Sequence, residues 1–526
     1  MKPLPIGIQC FADLRKGGYV YVDKTKEIHR MVSVGKHYFL SRPRRFGKSL
    51  LVSALEDIFK GNKKLFEGLY IYDKIDWEQH PVIKIDWSKI KRGSAQELEV
   101  DLSDYLNQMA EGYEISLKRS FASSKFDELI ISLREKAGKK VVILIDEYDM
   151  PILDALQKPD VLGGIRDFLQ DFYKIIKAND ENLRFVFLTG ISKFSKVSIF
   201  SGLNNLDDIT LDREFSTICG YTQNELVSYF SEHIADFARS ENLSESQMIE
   251  TIRHWYNGFS WDGQNFLYNP YSTLVLFKKK IFANYWFVSG MPTFLVEMLH
   301  KRNDVKLLFE PSQIQMSGFD SYEPATIETK VFLFQSGYLT VKNVCKGRFG
   351  EELTYTLDVP NMEVRQALMM HLLSAYTAFP QSGATLMRRK MQEQLFDGDI
   401  TNFERAVKEL FAGIPYQLHI PREAYYHSML LLWLNMLGFE VMGEIPTDKG
   451  RIDAVWTFED RVVIAEIKFS SKGTCDRLLT EAFKQIKDNQ YYERYADGNK
   501  RITFLAVAFA GKKIACEMED LVVNGG

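Results

Sequence analysis

Near the end of the chain, Asp453 in Gly450–Trp456 and the pair Glu466 and Lys468 in Val462–Phe469 have the types and spacing for metal-assisted phosphodiester chemistry. Both stretches read as short strands. In the second, Val463, Ala465, Ile467 and Phe469 alternate with Ile464, Glu466 and Lys468, so the carboxylate and the ammonium share a face. Burying two charges in so apolar a strand is costly unless they act together. Two carboxylates suit Mg²⁺, and a neighbouring lysine can position the attacking water and offset developing charge. A buried structural ion pair is the plain alternative for an isolated Glu-x-Lys.

A second set lies near the start. An apolar strand at Lys36–Leu40 runs through Ser41-Arg42-Pro43-Arg44-Arg45-Phe46-Gly47-Lys48-Ser49 into a helix carrying Leu51, Leu55, Ile58 and Phe59 on one face. This is the order of a phosphate-binding loop. Backbone N–H groups of Arg45, Phe46, Gly47, Lys48, Ser49 and Leu50 would cradle phosphates, Lys48 would reach the β- and γ-phosphates, and Ser49 would ligate Mg²⁺. One position departs from the pattern, since Arg42 stands where the first glycine is expected. The strand Lys139–Glu147 supplies the partner: Asp146 to hold Mg²⁺ through water and Glu147 to polarise the hydrolytic water. A third strand, Arg184–Gly190, ends in Thr189, placed to sense the γ-phosphate.

The elements around these residues extend both readings. Pro421 opens a helix whose stripe of Leu430, Leu434 and Leu437 stops at Gly438, with Glu423 and His427 on the same stripe. Thr480–Tyr495 reads as a helix carrying Ala482, Gln485, Ile486, Gln490 and Tyr491. Helix, strand with Asp, strand with Glu-x-Lys and helix with Gln together resemble the restriction-endonuclease-like PD-(D/E)xK nucleases. More narrowly, "GRIDAVW", "IAEIKFS" and "AFKQIKDNQYYERY" are similar to the nuclease domain that ends a group of bacterial ATPase fusion proteins. "FLSRPRRFGKSLL", "VVILIDEYD", "FLTGISKFS", "YVYVDKT" and "WYNGF…LYNPYS" are similar to the AAA-like ATPase module of that group. The resemblance implies metal ligands Asp453 and Glu466, catalytic Lys468, supporting Gln485 and an additional helix carboxylate, Glu423. Glu444 is a weaker candidate, because "GEIPTDKGR" also reads as an ordinary turn. ATP and Mg²⁺ are the implied cofactors and DNA the expected substrate, with RNA left open.

The expected fold is α/β. It comprises a P-loop, AAA/STAND-like core over 1–220, a helical lid over 221–300, a mixed connector with winged-helix-like character over 301–405 and a restriction-endonuclease-like domain over 406–526. Within it, helices are expected over Thr222–His254, Phe294–Phe309 and Val364–Met391, and short strands over Val331–Tyr338 and Leu339–Leu357. The polar residues of Tyr21–Thr25 are candidates to meet the nucleotide base. No arginine finger is evident: Arg213, after an expected strand at Asp208–Leu211, reads as a surface residue. An arginine from a neighbouring copy, and hence ATP-dependent assembly, is expected instead.

Length and composition agree. At ~150 residues per domain, 526 residues allow several domains, and 45% hydrophobic residues are ample for several cores. The start is not followed by a signal-type apolar stretch, and no ~20-residue apolar run could span a bilayer. The 5 cysteines are scattered with no C-x-x-C, which fits free thiols in a reducing cytoplasm. A net charge of −4 gives no general basic coat for nucleic acid, leaving local clusters such as Lys278–Lys280 and Arg388–Lys390. The function expected from all this is an ATPase coupled to a Mg²⁺-dependent DNA nuclease, with ATP state gating cleavage. The rival is a nucleotide-dependent switch or scaffold whose nuclease fold binds nucleic acid or a partner without cutting.

Overall fold

The structure is a computed structural model. It describes residues 1–156, 158–192, 205–286, 311–320, 328–347, 351–368, 400–412, 423–436, 441–447, 450–458, 461–495, 500–511 and 513–521. The described residues up to Val364 form one compact unit and those from Arg365 onward another.

The first unit is built on a parallel sheet of β1 (His37–Ser41), β2 (Val82–Asp86), β3 (Val141–Asp146), β4 (Leu183–Gly190) and β5 (Asp207–Asp208), in the order β2-β3-β4-β1-β5. β1 and β3 are buried at every position. Such near-continuous apolar runs mark parallel strands covered on both faces. Helices Ala95–Gly112, Ala122–Ala137 and Pro159–Ala178 share a core with the sheet around Ile143, Ile145, Phe126, Leu102 and Phe172. The register sets Ser41 beside Gly190 and Asp86 beside Asp146. The strand ends that carry the chemistry therefore lie together at the carboxyl edge, where open α/β sheets bind ligands.

Beyond β5, which is shorter than expected, helices Gln223–Tyr229, Ser231–Ser240 and Glu245–Tyr256 follow. The first and third open on capping boxes, Thr222 with Glu225 and Ser244 with Gln247. A small sheet of β6 (Tyr221–Thr222), β7 (Asn257–Phe259) and β8 (Leu267–Tyr268) leads into helix Pro270–Lys279. Val20 and Val22 belong to the core of this helical layer. The neighbouring polar residues make hydrogen bonds within the protein. Lys24 pairs with Glu225 at 2.7 Å, and the Asp23 carboxylate accepts from Thr25 N, the Thr25 hydroxyl and Tyr70 N.

A third sheet of this unit, antiparallel, has β9 (Ser312–Gln315), β10 (Thr340–Cys345) and β11 (Thr354–Asp358) in the order β10-β11-β9. The strand expected over Val331–Tyr338 is instead helix Thr329–Ser336, ended by Gly337 at φ 89°. Val331, Phe332, Leu333 and Phe334 are all buried, so an all-apolar run showed no period to separate helix from strand. The helix expected over Phe294–Phe309 and most of that over Val364–Met391 lie outside the described residues, as do Arg388–Lys390.

The second unit is a five-stranded sheet of β12 (Met442–Pro446), β13 (Arg451–Phe458), β14 (Arg461–Ser470), β15 (Arg501–Ala510) and β16 (Lys513–Asp520), in sequence order. β14 and β15 are parallel and joined by helix Cys475–Asp488, while the other pairs are antiparallel. That helix ends sooner than expected, and Glu493–Tyr495 forms a separate 3₁₀ turn. Helix Glu423–Met436 packs against β14, and helix Ile400–Ala412 against β16. No helix among the described residues is long and apolar enough to cross a membrane.

Candidate active sites

The phosphate-loop candidate turns through Arg45 at φ 67° and Gly47 at φ 91°, then enters helix Lys48–Phe59. Leu51 N is the first amide of that helix to reach back, bonding Gly47 O at 3.0 Å. The N–H groups of the preceding turn have no intrahelical acceptor, which makes this end an anion cradle. Lys48 is buried, and its Nζ donates to Arg42 O at 2.9 Å and Pro43 O at 3.0 Å. Burial lowers its pKa, against the pull of Asp146, Glu147 and Asp149.

Arg42, the departure from the glycine pattern, is fully buried and belongs to the scaffold. Its guanidinium donates to Ser41 O and Thr210 O at 2.9 Å and to Phe215 O at 3.2 Å, and lies 4.0 Å from the Trp261 ring centroid. Burial brings its pKa down to about 10. Restoring the expected residue should therefore harm the protein. Arg42→Gly leaves Thr210 O and Phe215 O without this donor, at roughly 1–3 kcal/mol for each buried group left unpaired. Urea unfolding should show a clearly lower midpoint, and an unchanged one would refute this role.

The β3 end carries three carboxylates. Burial pushes the Asp146 carboxyl up, opposed by a hydrogen bond from Ser49 and the charge of Lys48. Ser49 and Asp146 thus meet as a metal-sharing pair would. Glu147 sits at φ 52°, strained for a non-glycine residue, with Oε2 buried and unpartnered among the described residues. Burial raises its pKa too. The third, Asp149, escaped the sequence reading. It is buried, and its Oδ2 accepts from Ile191 N at 3.0 Å and from Ser192 N and the Ser192 hydroxyl at 2.7 Å. This pins the turn after β3 to the exit of β4. A Cβ on Gly190 would run into the Asp149 carboxylate and the Tyr148 ring, so only glycine fits there. A local "DEYD" gives no sign of such a long-range clamp. Thr189, expected to face the γ-phosphate, is fully buried, and its hydroxyl donates to Leu40 O at 2.8 Å. Arg213 is exposed at the start of a 3₁₀ turn.

In the second unit, Ala454 pairs with Ala465, so Asp453 stands opposite Glu466 on the same face of the sheet. Asp453 Oδ2 accepts from Ile467 N at 2.8 Å, and the His427 Nε2 bonds the Asp453 carbonyl at 2.8 Å. Glu466 is fully buried. Its Oε1 meets Lys468 Nζ at 2.7 Å, while Oε2 has no hydrogen-bond partner among the described residues. Burial and then the Asp453 charge push the Glu466 carboxyl well above its usual range. Burial acts to lower Lys468, but Glu466 outweighs it and the ammonium is held charged. Glu423 arrives from its helix, accepting from Phe469 N at 3.2 Å, and its charge reaches both Glu466 and Lys468.

Gln485 lies on helix Cys475–Asp488. Its amide bonds the Tyr491 hydroxyl at 3.3 Å, which donates to Arg451 O at 2.9 Å, so it braces the entry to β13. Glu444 falls in β12, and its side chain lies outside the described residues. Of the Lys278–Lys280 cluster, Lys280 pairs with Asp236 at 2.6 Å. Among the described residues no three His, Cys, Asp or Glu side chains form a ready-made metal cage. Asp453 and Glu466 offer hard oxygens, one of them buried and unpaired, which fits an ion that keeps water and substrate oxygens as its other ligands.

Comparison with known proteins bears on the two units as domains. Residues 5–200 match the model of a predicted AAA-ATPase, and residues 421–519 match the PD-(D/E)XK nuclease superfamily. A relative described as an uncharacterized protein in the vnfD 5' region of Azotobacter chroococcum mcd 1 is 38% identical over 522 residues, covering 97% of this chain and 96% of the relative. The phosphate loop and the Asp453–Glu466–Lys468 corner each fall inside a matched stretch, and the chain belongs to the family that joins a predicted AAA-ATPase to a C-terminal PD-(D/E)XK nuclease-superfamily domain.

Proposed function

We propose that the first unit binds and hydrolyses ATP with Mg²⁺, and that the second is a Mg²⁺-dependent DNA nuclease gated by nucleotide state, acting in the cytoplasm. The observation that carries the nuclease reading is the unpartnered, buried Glu466 Oε2 beside Asp453 and Lys468. A structural ion pair would have no use for a third charged member on that face or for an oxygen left without a donor.

In this reading Asp453 and Glu466 hold the ion, which when bound activates water and neutralises charge on the phosphodiester. His427 and the Ile467 N–H fix Asp453 from its carbonyl and its carboxylate. Lys468, charged and next to Glu466, orients the nucleophile or donates to a phosphate oxygen. Glu423 adds negative charge at the rim, favouring the cation. In the first unit, Lys48 and the N–H groups of Arg45–Leu50 bind phosphate, Ser49 and Asp146 hold the ion, and Glu147 orients the hydrolytic water. A homo-oligomer formed on ATP binding would bring an arginine finger from a neighbouring copy to the phosphate site.

The deciding experiment is digestion of linear, circular and single-stranded DNA and of RNA with Mg²⁺, each with and without ATP. Cleavage of a DNA substrate that changes with ATP is the expected result. Binding without cleavage of any substrate would favour the scaffold, and cleavage indifferent to nucleotide would remove the gating.

A further inference from the structure

The phosphate loop is gripped from outside by residues more than two hundred positions away. Phe46 packs edge-on against Phe259 and Trp261, with centroids 4.9 and 5.3 Å apart. The Arg45 guanidinium lies 3.9 Å from the Tyr271 ring centroid and donates to Tyr285 O at 3.3 Å. Arg44 O accepts from Asn269 Nδ2 at 3.4 Å and from Trp286 Nε1 at 3.2 Å. The Tyr285–Trp286 corner is in turn held by one carboxylate. Glu363 Oε1 accepts from Tyr285 N at 2.7 Å and Trp286 N at 2.8 Å.

Glu363 is fully buried. Burial pushes this carboxyl up to about 7, a rise opposed by the Trp286 N–H, the Ser272 hydroxyl, the Tyr285 N–H and the charge of Arg45. Its surroundings are firmly anchored: Asn361 Nδ2 donates to Tyr256 O at 2.9 Å, and Lys342 Nζ to Pro360 O at 2.8 Å. The next residue, Val364, is the last of the first unit.

We propose that Glu363 is a positioning residue for the nucleotide site, holding the Tyr285–Trp286 corner against the phosphate loop and so tying that loop to a point where the chain passes into the second unit. This rests on the reading of Arg42–Ser49 as a nucleotide site and names a route by which its occupancy leaves the first unit. Phosphate drawn into the cradle competes for Arg45 and rearranges the carbonyls of Arg44 and Tyr285. Any such shift bears on the two amides that Glu363 holds, because a buried carboxylate cannot give up its donors without cost.

The test uses the full chain with ATP itself. Hydrogen exchange should show altered protection of the Tyr285 and Trp286 amides when ATP binds to the wild type. Glu363→Ala should weaken ATP binding about tenfold, within the usual range of coupling between linked sites. Glu363→Gln, whose amide oxygen can still accept both N–H groups, should stay within about threefold of the wild type under the same logic. Calorimetry is run at a temperature where all three proteins are folded by melting curve. Wild-type affinity in a folded Glu363→Ala protein would overturn the proposal, as would exchange at Tyr285 and Trp286 indifferent to ATP. Should the alanine variant fail to fold, the wild-type exchange result decides alone. Absence of ATP binding by the wild type would instead overturn the nucleotide reading, and this inference with it.

Discussion

Lys468→Met should abolish DNA cleavage, by about 10²–10⁴-fold for loss of a group that acts on the reacting proton or charge, and leave Mg²⁺ binding largely intact. The ammonium is no ligand, and methionine keeps most of the aliphatic stem in place. Asp453→Asn and Glu466→Gln should abolish both, since each removes a charged oxygen from the ion. The split between binding and cleavage is what separates this site from a buried ion pair. Were the three only structural, each single change would leave an uncompensated buried charge at roughly 3–5 kcal/mol, and all would lose melting temperature together. Wild-type cleavage by a folded Glu466→Gln protein would end the nuclease assignment.

The same carboxylate sets a pH dependence. Burial and Asp453 raise Glu466 above its ordinary 4.5, so the metal-free folded state keeps a proton that the unfolded chain has lost. Its contribution to stability is thus present below pH 4.5 and lost as pH rises through the folded-state value. Mg²⁺ must displace that proton, so metal affinity should increase with pH until the folded-state value is passed, and binding below it should release protons. Titration calorimetry in two buffers of different ionisation enthalpy reads the release directly, and equal heats in both would count against a protonated Glu466.

In the first unit the largest contrast is expected between Lys48→Ala and Glu147→Gln. Lys48 would exchange the carbonyls of Arg42 and Pro43 for phosphate. Losing a charged hydrogen bond worth roughly 1.5–3 kcal/mol weakens ATP binding about 10- to 100-fold, and turnover disappears with it. Glu147 acts on water and not on the nucleotide, so Glu147→Gln should keep affinity while the rate falls by about 10²–10⁴-fold. Near wild-type turnover in both variants would remove the assignment.

The pieces legible beforehand are those whose chemistry is local. A strand ending in Asp146-Glu147, a Gly-Lys-Ser opening a helix, and an Asp–Glu-x-Lys across two strands each show in a few consecutive residues, and the sheets place them as strand periodicity requires. What escaped depends on contacts far along the chain. Asp149 becomes a clamp only because β4 runs beside β3, bringing Ile191 and Ser192 to it. Arg42 replaces a glycine because Thr210, Phe215 and Trp261 receive its guanidinium. Thr189 had the right address at a strand end, but its side chain turns to Leu40 on the neighbouring strand. Gln485 sits on the expected helix, and its brace to the start of β13 through Tyr491 depends on that same long-range fold. The helix Thr329–Ser336 was read as a strand because burial all round erases the period on which the distinction depends.

The wrapping of the phosphate loop also constrains how the protein is made. Phe46 finds Phe259 and Trp261, Pro43 lies against Gly337, and Arg44 and Arg45 are secured by residues 269–286. During synthesis from the N-terminus, the sheet strands and Gly-Lys-Ser emerge long before these partners exist. The nascent loop must wait with its aromatic and apolar side chains uncovered, a state that favours chaperone capture or aggregation. Closing contacts over such sequence separations is also intrinsically slow. A fragment cut after the five-stranded sheet would keep every residue of the phosphate-binding motif and lose the outer grip of residues 259–286.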